Sequence, residues 1–129
     1  MNFTLTKEQE LVRQMVRDFA VNEVKPIAAE IDVTERFPME NVKKMGELGM
    51  MGIPFPTEFG GAGGDVLSYI LAVEEVSKVC ATTGVILSAH TSLCASLINE
   101  NGTPIQKEKY LRDLCTGNKL GAFGLTEPG

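Results

Sequence analysis

Val79-Cys-Ala-Thr-Thr-Gly-Val-Ile-Leu-Ser-Ala-His-Thr-Ser-Leu-Cys-Ala-Ser-Leu-Ile-Asn99 decides the fold, because no residue in it carries a formal charge. A run of about 20 apolar residues can span a bilayer. This run, however, holds Thr82, Thr83, Gly84, Ser88, His90, Thr91, Ser92, Ser96 and Asn99. Polar groups in that number need hydrogen-bonding partners. The stretch therefore reads as a helix buried in a soluble domain, with no membrane insertion. The helix is expected over 84–101, with Gly102 as its stop.

Outward from it the chain stays helical and is punctuated by Gly and Pro. On the N-terminal side Asp65 can cap a helix whose Val66, Tyr69, Ile70, Val73, Val76 and Cys80 share one face. Glu74, Glu75 and Lys78 fall opposite, as a solvated face. The glycine-rich stretch 58–64 reads as a flexible loop. Further back, Thr6-Lys-Glu-Gln9 has the form of a capping box, and Leu11, Val12, Met15, Val16 and Phe19 follow at helical spacing. Pro26 breaks or kinks that helix, and a short second one covers 27–33. Pro38 opens a third, with Met39, Val42, Met45 and Leu48 as its stripe and Gly49 as its end. On the C-terminal side Thr103-Pro-Ile-Gln106 is a second capping box, opening a helix with Tyr110, Leu111 and Leu114 that ends at Gly117. Lys119 to Leu125 is short, apolar and glycine-bearing, and is predicted as a strand. The expectation is an all-α domain of five or six helices over 1–118, followed over 119–129 by the first strand of something β. A lone terminal strand has no partner for its backbone groups, so the molecule is expected to continue.

Composition supports one globular domain. The 129 residues are 43% hydrophobic and 22% charged, with no Trp and six Met, so the core must be aliphatic and Met-rich. The net charge is −5 and no Lys/Arg block exceeds a pair, which argues against nucleic acid as a partner. Three Cys, with no C-x-x-C, suggest neither a disulfide framework nor a metal site and fit a reducing, cytoplasmic setting. Met1-Asn2-Phe3-Thr4 does not read as a signal peptide.

The residues alone name no reaction. Gly60-Gly-Ala-Gly-Gly-Asp65 lacks the third glycine of a dinucleotide fingerprint and the Lys of a P-loop, so it reads as a surface turn before a helix. His90 is the only histidine. Ser92, two positions on, points elsewhere on a helix, so a packed or pocket-lining His fits better than a general base. Ser88, Ser92 and Ser96 share a helix face, either for tight packing with hydroxyls bonded to their own carbonyls or as one wall of a pocket. Glu74 and Glu75 diverge on the wheel and cannot form an acid–base pair.

The final segment, Leu120-Gly-Ala-Phe-Gly-Leu-Thr-Glu-Pro-Gly129, resembles the first half of the signature of flavin-dependent acyl-CoA dehydrogenases. Gly64-Asp-Val-Leu-Ser-Tyr-Ile-Leu-Ala-Val-Glu-Glu75 and Thr83-Gly-Val-Ile-Leu-Ser-Ala-His-Thr-Ser-Leu-Cys94 are similar to the same family. So are Leu5-Thr-Lys-Glu-Gln9 and Phe55-Pro-Thr-Glu-Phe-Gly-Gly61. The resemblance runs along essentially the whole chain and is nearest to the short-chain, butyryl-CoA branch.

The resemblance implies an N-terminal helical domain followed by a middle β-domain and a C-terminal helical domain, usually in a homotetramer. It implies FAD as cofactor, an acyl-CoA thioester as substrate and electron-transferring flavoprotein as redox partner. A Glu outside these residues would remove the α-proton, so no catalytic residue is assigned here. Phe123, Leu125 and Thr126 match the segment along the flavin, and Glu127, Pro128 and Gly129 begin the turn after it. His90, Thr91 and Cys94 match positions at the closed end of the acyl pocket, which favours the pocket reading of their helix. The fragment alone is expected to be inactive. The competing expectation is a free-standing helical binding or assembly module of the same descent. A separate helical acyl-CoA binder is weaker, because no basic cluster meets the CoA phosphates.

Overall fold

Thr6 starts the fold as its spacing predicts: its Oγ1 accepts the Gln9 amide at 3.2 Å, and the Gln9 side chain accepts the Thr6 amide at 2.9 Å. The computed structural model describes residues 3–127; Pro128 and Gly129 of the expected turn, and Met1 and Asn2, lie outside them. Helix α1 (Lys7–Phe19) passes through a wide π-helical turn (Ala20–Val24) into α2 (Lys25–Thr34). Pro26 lies in the first turn of α2, and the widened turn ahead of it lets one rod continue past the proline. Helix α3 (Met39–Glu47) is followed by Gly49, whose φ of 72° requires glycine. Two short 3-10 turns (Met50–Gly52, Thr57–Phe59) lead to α4 (Val66–Ser77), capped by Asp65 as expected. Helix α5 (Ala81–Ser88), a π-helical turn (Ala89–Ala95) and α6 (Ser96–Asn101) form a single rod. A last rod, α7 (Pro104–Gln106), a π-helical turn (Lys107–Leu111) and α8 (Arg112–Cys115), opens on the capping box at Thr103.

These five rods realise the all-α expectation. The strand predicted over 119–125 is not formed. Among the described residues there is no strand at all, and a ladder needs a second strand to supply its donors and acceptors.

Helix α4 packs between α1 and α5. The main core joins α1 to α5 around Val16, Met45, Met50, Met51, Val76 and Leu87, all fully buried. Each such side chain is worth about 1.5–3 kcal/mol of apolar burial. A smaller core holds Phe55, Ala95, Leu111, Leu114 and Cys115. The Met-rich aliphatic interior is the one the composition requires.

Two local expectations are corrected. On α4 the buried positions are Ser68, Tyr69, Leu71, Ala72, Glu75 and Val76, while Val66 and Ile70 are exposed. Glu75 is 4% exposed and binds Arg13, Arg17 and Lys78, each at 3.0 Å. It is an internal ion cluster between α1 and α4, because α1 supplies two cations one turn apart at the place where α4 crosses. The glycine loop is pinned: the amides of Ala62, Gly63 and Gly64 donate to the carbonyls of Gly52, Phe55 and Ile53 at 2.8–2.9 Å.

The 81–101 rod is 21 residues long and, by length and composition only, could cross a membrane. Here Thr83, Leu87, His90, Thr91 and Ala95 face the protein core, and Val85, Leu93 and Leu97 are exposed.

Candidate functional site

His90, Thr91 and Cys94 all fall in the π-helical turn Ala89–Ala95, a widened geometry that recurs at functional sites. His90 is fully buried. Its Nδ1 accepts the Gly121 amide at 2.9 Å, and its Nε2 lies 3.1 Å from the Leu114 carbonyl oxygen. An amide only donates and a carbonyl only accepts, so the ring is the neutral Nε2–H tautomer. Burial lowers its pKa from the usual 6.5. With both nitrogens spent on backbone groups, His90 is not arranged as a general base.

Gly121 is pressed onto the same turn. A Cβ there would stand 2.7 Å from both Cβ and Sγ of Cys94, so only glycine fits. The approach to it is also tied down. The Lys119 amide donates to the Asp113 carbonyl at 3.0 Å, and its Nζ meets Asp113 Oδ2 at 2.7 Å. Past Gly121, Phe123, Leu125 and Thr126 are exposed, and among the described residues the backbone from Ala122 onward makes no hydrogen bond.

Thr91 is fully buried, and its Oγ1 has no hydrogen-bond partner among the described residues. Such an unpaired group costs about 1–3 kcal/mol. Cys94 is half-buried beneath Gly121.

The two expected groups meet only through Gly121. His90 and Cys94 touch the root of the segment that carries Phe123, Leu125 and Thr126. The contacts that sequence reasoning missed are Gly121 and the Leu114 carbonyl. Gly121 within an apolar run was the one available signal, since such a glycine often marks close backbone approach. The serine row resolves otherwise: Ser92 Oγ bonds the Tyr69 hydroxyl at 2.5 Å, tying α4 to the rod.

Several other candidate groups are engaged elsewhere. The glycine-loop amides are engaged and cannot cradle a phosphate. Arg17, then Lys78 and Arg13, hold the Glu75 carboxyl down to about 2 against the upward push of burial, which makes it a poor base. Cys80, Cys94 and Cys115 are free, and burial pushes the Cys115 thiol up to about 11. No three His, Cys, Asp or Glu side chains among the described residues converge as a metal site requires. Clefts of about 420 Å³ at Leu97, Gly102 and Tyr110 and of about 520 Å³ between α1 and the glycine loop lie away from His90.

Comparison with known proteins gives a consistent answer. Residues 6–118 match the family model "Acyl-CoA dehydrogenase, N-terminal domain". The short-chain specific acyl-CoA dehydrogenase of Clostridium acetobutylicum is 80% identical over 99% of this chain, which covers 34% of that protein. Butyryl-CoA dehydrogenase from Megasphaera elsdenii superposes with a TM-score of 0.94 at 45% identity, over 99% of this chain and 34% of its own. A chain in the structural work on the electron transferring flavoprotein of Acidaminococcus fermentans superposes with a TM-score of 0.96 at 50% identity, over 99% and 34% respectively. The chain thus spans about a third of the length of the relatives it matches.

Proposed function

The chain belongs to the acyl-CoA dehydrogenase family, whose N-terminal domain it spans, and from that premise we propose that it forms the helical wall and the flavin-edge segment of an FAD-dependent short-chain enzyme. The reaction is the interconversion of a butyryl-CoA-like thioester and its trans-2-enoyl product. The observation that carries the reading is the exposed segment beyond Gly121, held at its root by His90 and otherwise unbonded.

That segment fits a flavin edge. The amides of Leu125 and Thr126 and the Thr126 hydroxyl are exposed and free to donate, and Phe123 offers an apolar ring beside them. FAD, when bound, supplies the two-electron acceptor for forming the double bond. Thr91, buried with an unpaired hydroxyl, suits the closed end of an acyl pocket, with Cys94 a turn further on. The rod they belong to would keep water from the thioester, which strengthens every electrostatic contact around it.

The α-proton needs a base with an accessible, suitably raised pKa. Glu75 has the opposite environment. The family resemblance implies a catalytic Glu outside these residues, so the 129-residue chain alone is expected to turn over no butyryl-CoA. Electron-transferring flavoprotein as redox partner, a homotetramer and a cytoplasmic setting complete the proposal. The Acidaminococcus likeness supports the first and the free thiols support the last.

The test is the intact mass and visible spectrum of the native polypeptide, beside a butyryl-CoA oxidation assay with an artificial acceptor. A chain about three times longer, yellow and active, is expected. A native mass near 14.0 kDa without flavin would overturn the enzymatic reading in favour of a free-standing helical module.

A further inference from the structure

The segment that leaves the last helix is tied to the helices at Lys119, through Asp113, and at Gly121, through His90. Gly117, with φ of 75°, turns the chain after α8, and Lys119 ties back to Asp113. Gly121 then gives its amide to His90 Nδ1, while the other ring nitrogen donates to Leu114 on α8. One buried ring thus bridges three pieces: the 81–101 rod, the end of the last rod, and the root of the exposed segment. Phe123 stands two residues beyond the anchor and Leu125 four, so the position of Gly121 limits where both can reach.

We propose that His90 is a positioning residue that sets the register of the Phe123–Thr126 segment against the flavin, by holding the Gly121 amide on the helix that walls the acyl chain. The assignment rests on the reading of this segment as a flavin edge. It deepens that reading: a residue placed by resemblance at the pocket end acts on the cofactor side, through the backbone. The geometry supports it in two ways. His90 has no spare nitrogen for a substrate, and Gly121 has no room for a side chain that could loosen the contact.

The two nitrogens can be separated by substitution. Asn places an amide oxygen near Nδ1 and can still accept from Gly121. Gln reaches toward Nε2 and can still donate to Leu114, but leaves the Gly121 amide unpaired. Both variants are made in the full-length holoenzyme, with FAD retention on dilution and the resolution of the flavin absorption band as readouts. His90→Asn is expected to hold FAD close to wild type. His90→Gln is expected to lose affinity on the order of tenfold, the effect of one unpaired buried donor, with a blurred flavin band. A merely structural role predicts a fall in Tm for both and no difference between their spectra, and that result overturns the proposal.

A second measurement needs no variant. Hydrogen exchange on the wild type is expected to protect the Gly121 amide as strongly as those of α8, whether FAD is bound or stripped. Exchange of Gly121 at the rate of Ala122 in the stripped protein overturns the anchor even if the variants fail to fold. A wild type that never holds flavin overturns the functional reading itself, and the assignment with it, while Gly121 protection would still be seen.

Discussion

At the scale of single residues, two buried groups give opposite lessons about charge. Glu75 is a carboxylate shared by three cations, and its pKa falls from 4.5 to about 2 on folding. Its stabilising contribution is therefore complete above about pH 4.5 and drains away as pH falls toward 2. Glu75→Gln is expected to cost about 2 kcal/mol at pH 7, between the values for exposed and for buried pairs because the cations are part-exposed. Urea unfolding at pH 7 and pH 3 checks it, since the difference between variant and parent should shrink at pH 3. His90 is buried neutral, so the unfolded chain takes up its proton first. Its contribution is intact above about pH 6.5 and is lost as pH falls below that value. Nitrogen NMR of the imidazole should report a protonated Nε2 and a bare Nδ1 at neutral pH. Thr91→Val removes an unpaired buried hydroxyl and should raise stability by about 1 kcal/mol in thermal unfolding of the isolated chain. The burial of Glu75 was not legible in the sequence; for His90 the packed role was, but not its partners. A helical wheel sees one helix, whereas the partners of Glu75 that bury it lie on α1. His90 bonds to a carbonyl and an amide, groups every residue possesses.

At the scale of elements, what the sequence declares is where side-chain-capped helices begin, whereas the uncapped rod expected from Gly84 starts at Ala81. Thr6, Asp65 and Thr103 cap as their spacing requires, because a cap is a bond between neighbours in the chain. The three π-helical turns and the pinned glycine loop were not legible, because each is set by contacts distant in sequence. The strand expected over 119–125 fails for the same reason: a strand is a relation between two segments. Backbone approach carries the packing of several elements. Gly84 lies on α5 where Ser77 of α4 crosses it, and a Cβ there would meet the Ser77 side chain and stand 3.1 Å from its Cα. Gly84→Ala should destabilise by about 1–3 kcal/mol in denaturant unfolding. Gly117→Ala adds an unfavourable positive φ to a 2.7 Å approach to Gly46 Cα, and should cost at least about 2 kcal/mol.

At the scale of the whole molecule, the surface is uneven. Val66, Leu67 and Ile70 on α4, and Val85, Leu93 and Leu97 on the 81–101 rod, are all exposed. Apolar side chains in that number favour association when nothing covers them. The isolated 129-residue chain should self-associate in sedimentation experiments. Leu67→Lys with Leu97→Lys should suppress this while changing stability by no more than about 0.5 kcal/mol. The smaller core has a different consequence. Phe55 is buried there with Ala95, Leu111, Leu114 and Cys115, which come much later in the chain; of the side chains packed around the cluster, Phe59 alone is near it in sequence, and Cys94 and Ile98 are also late. Ribosomes add about 5–20 residues per second, so roughly 3–12 s separate the synthesis of Phe55 from that of Leu114. During that interval the Phe55 ring lacks the four buried residues it clusters with and stays open to chaperones. The pace at which codons 56–114 are translated sets how long it stays so.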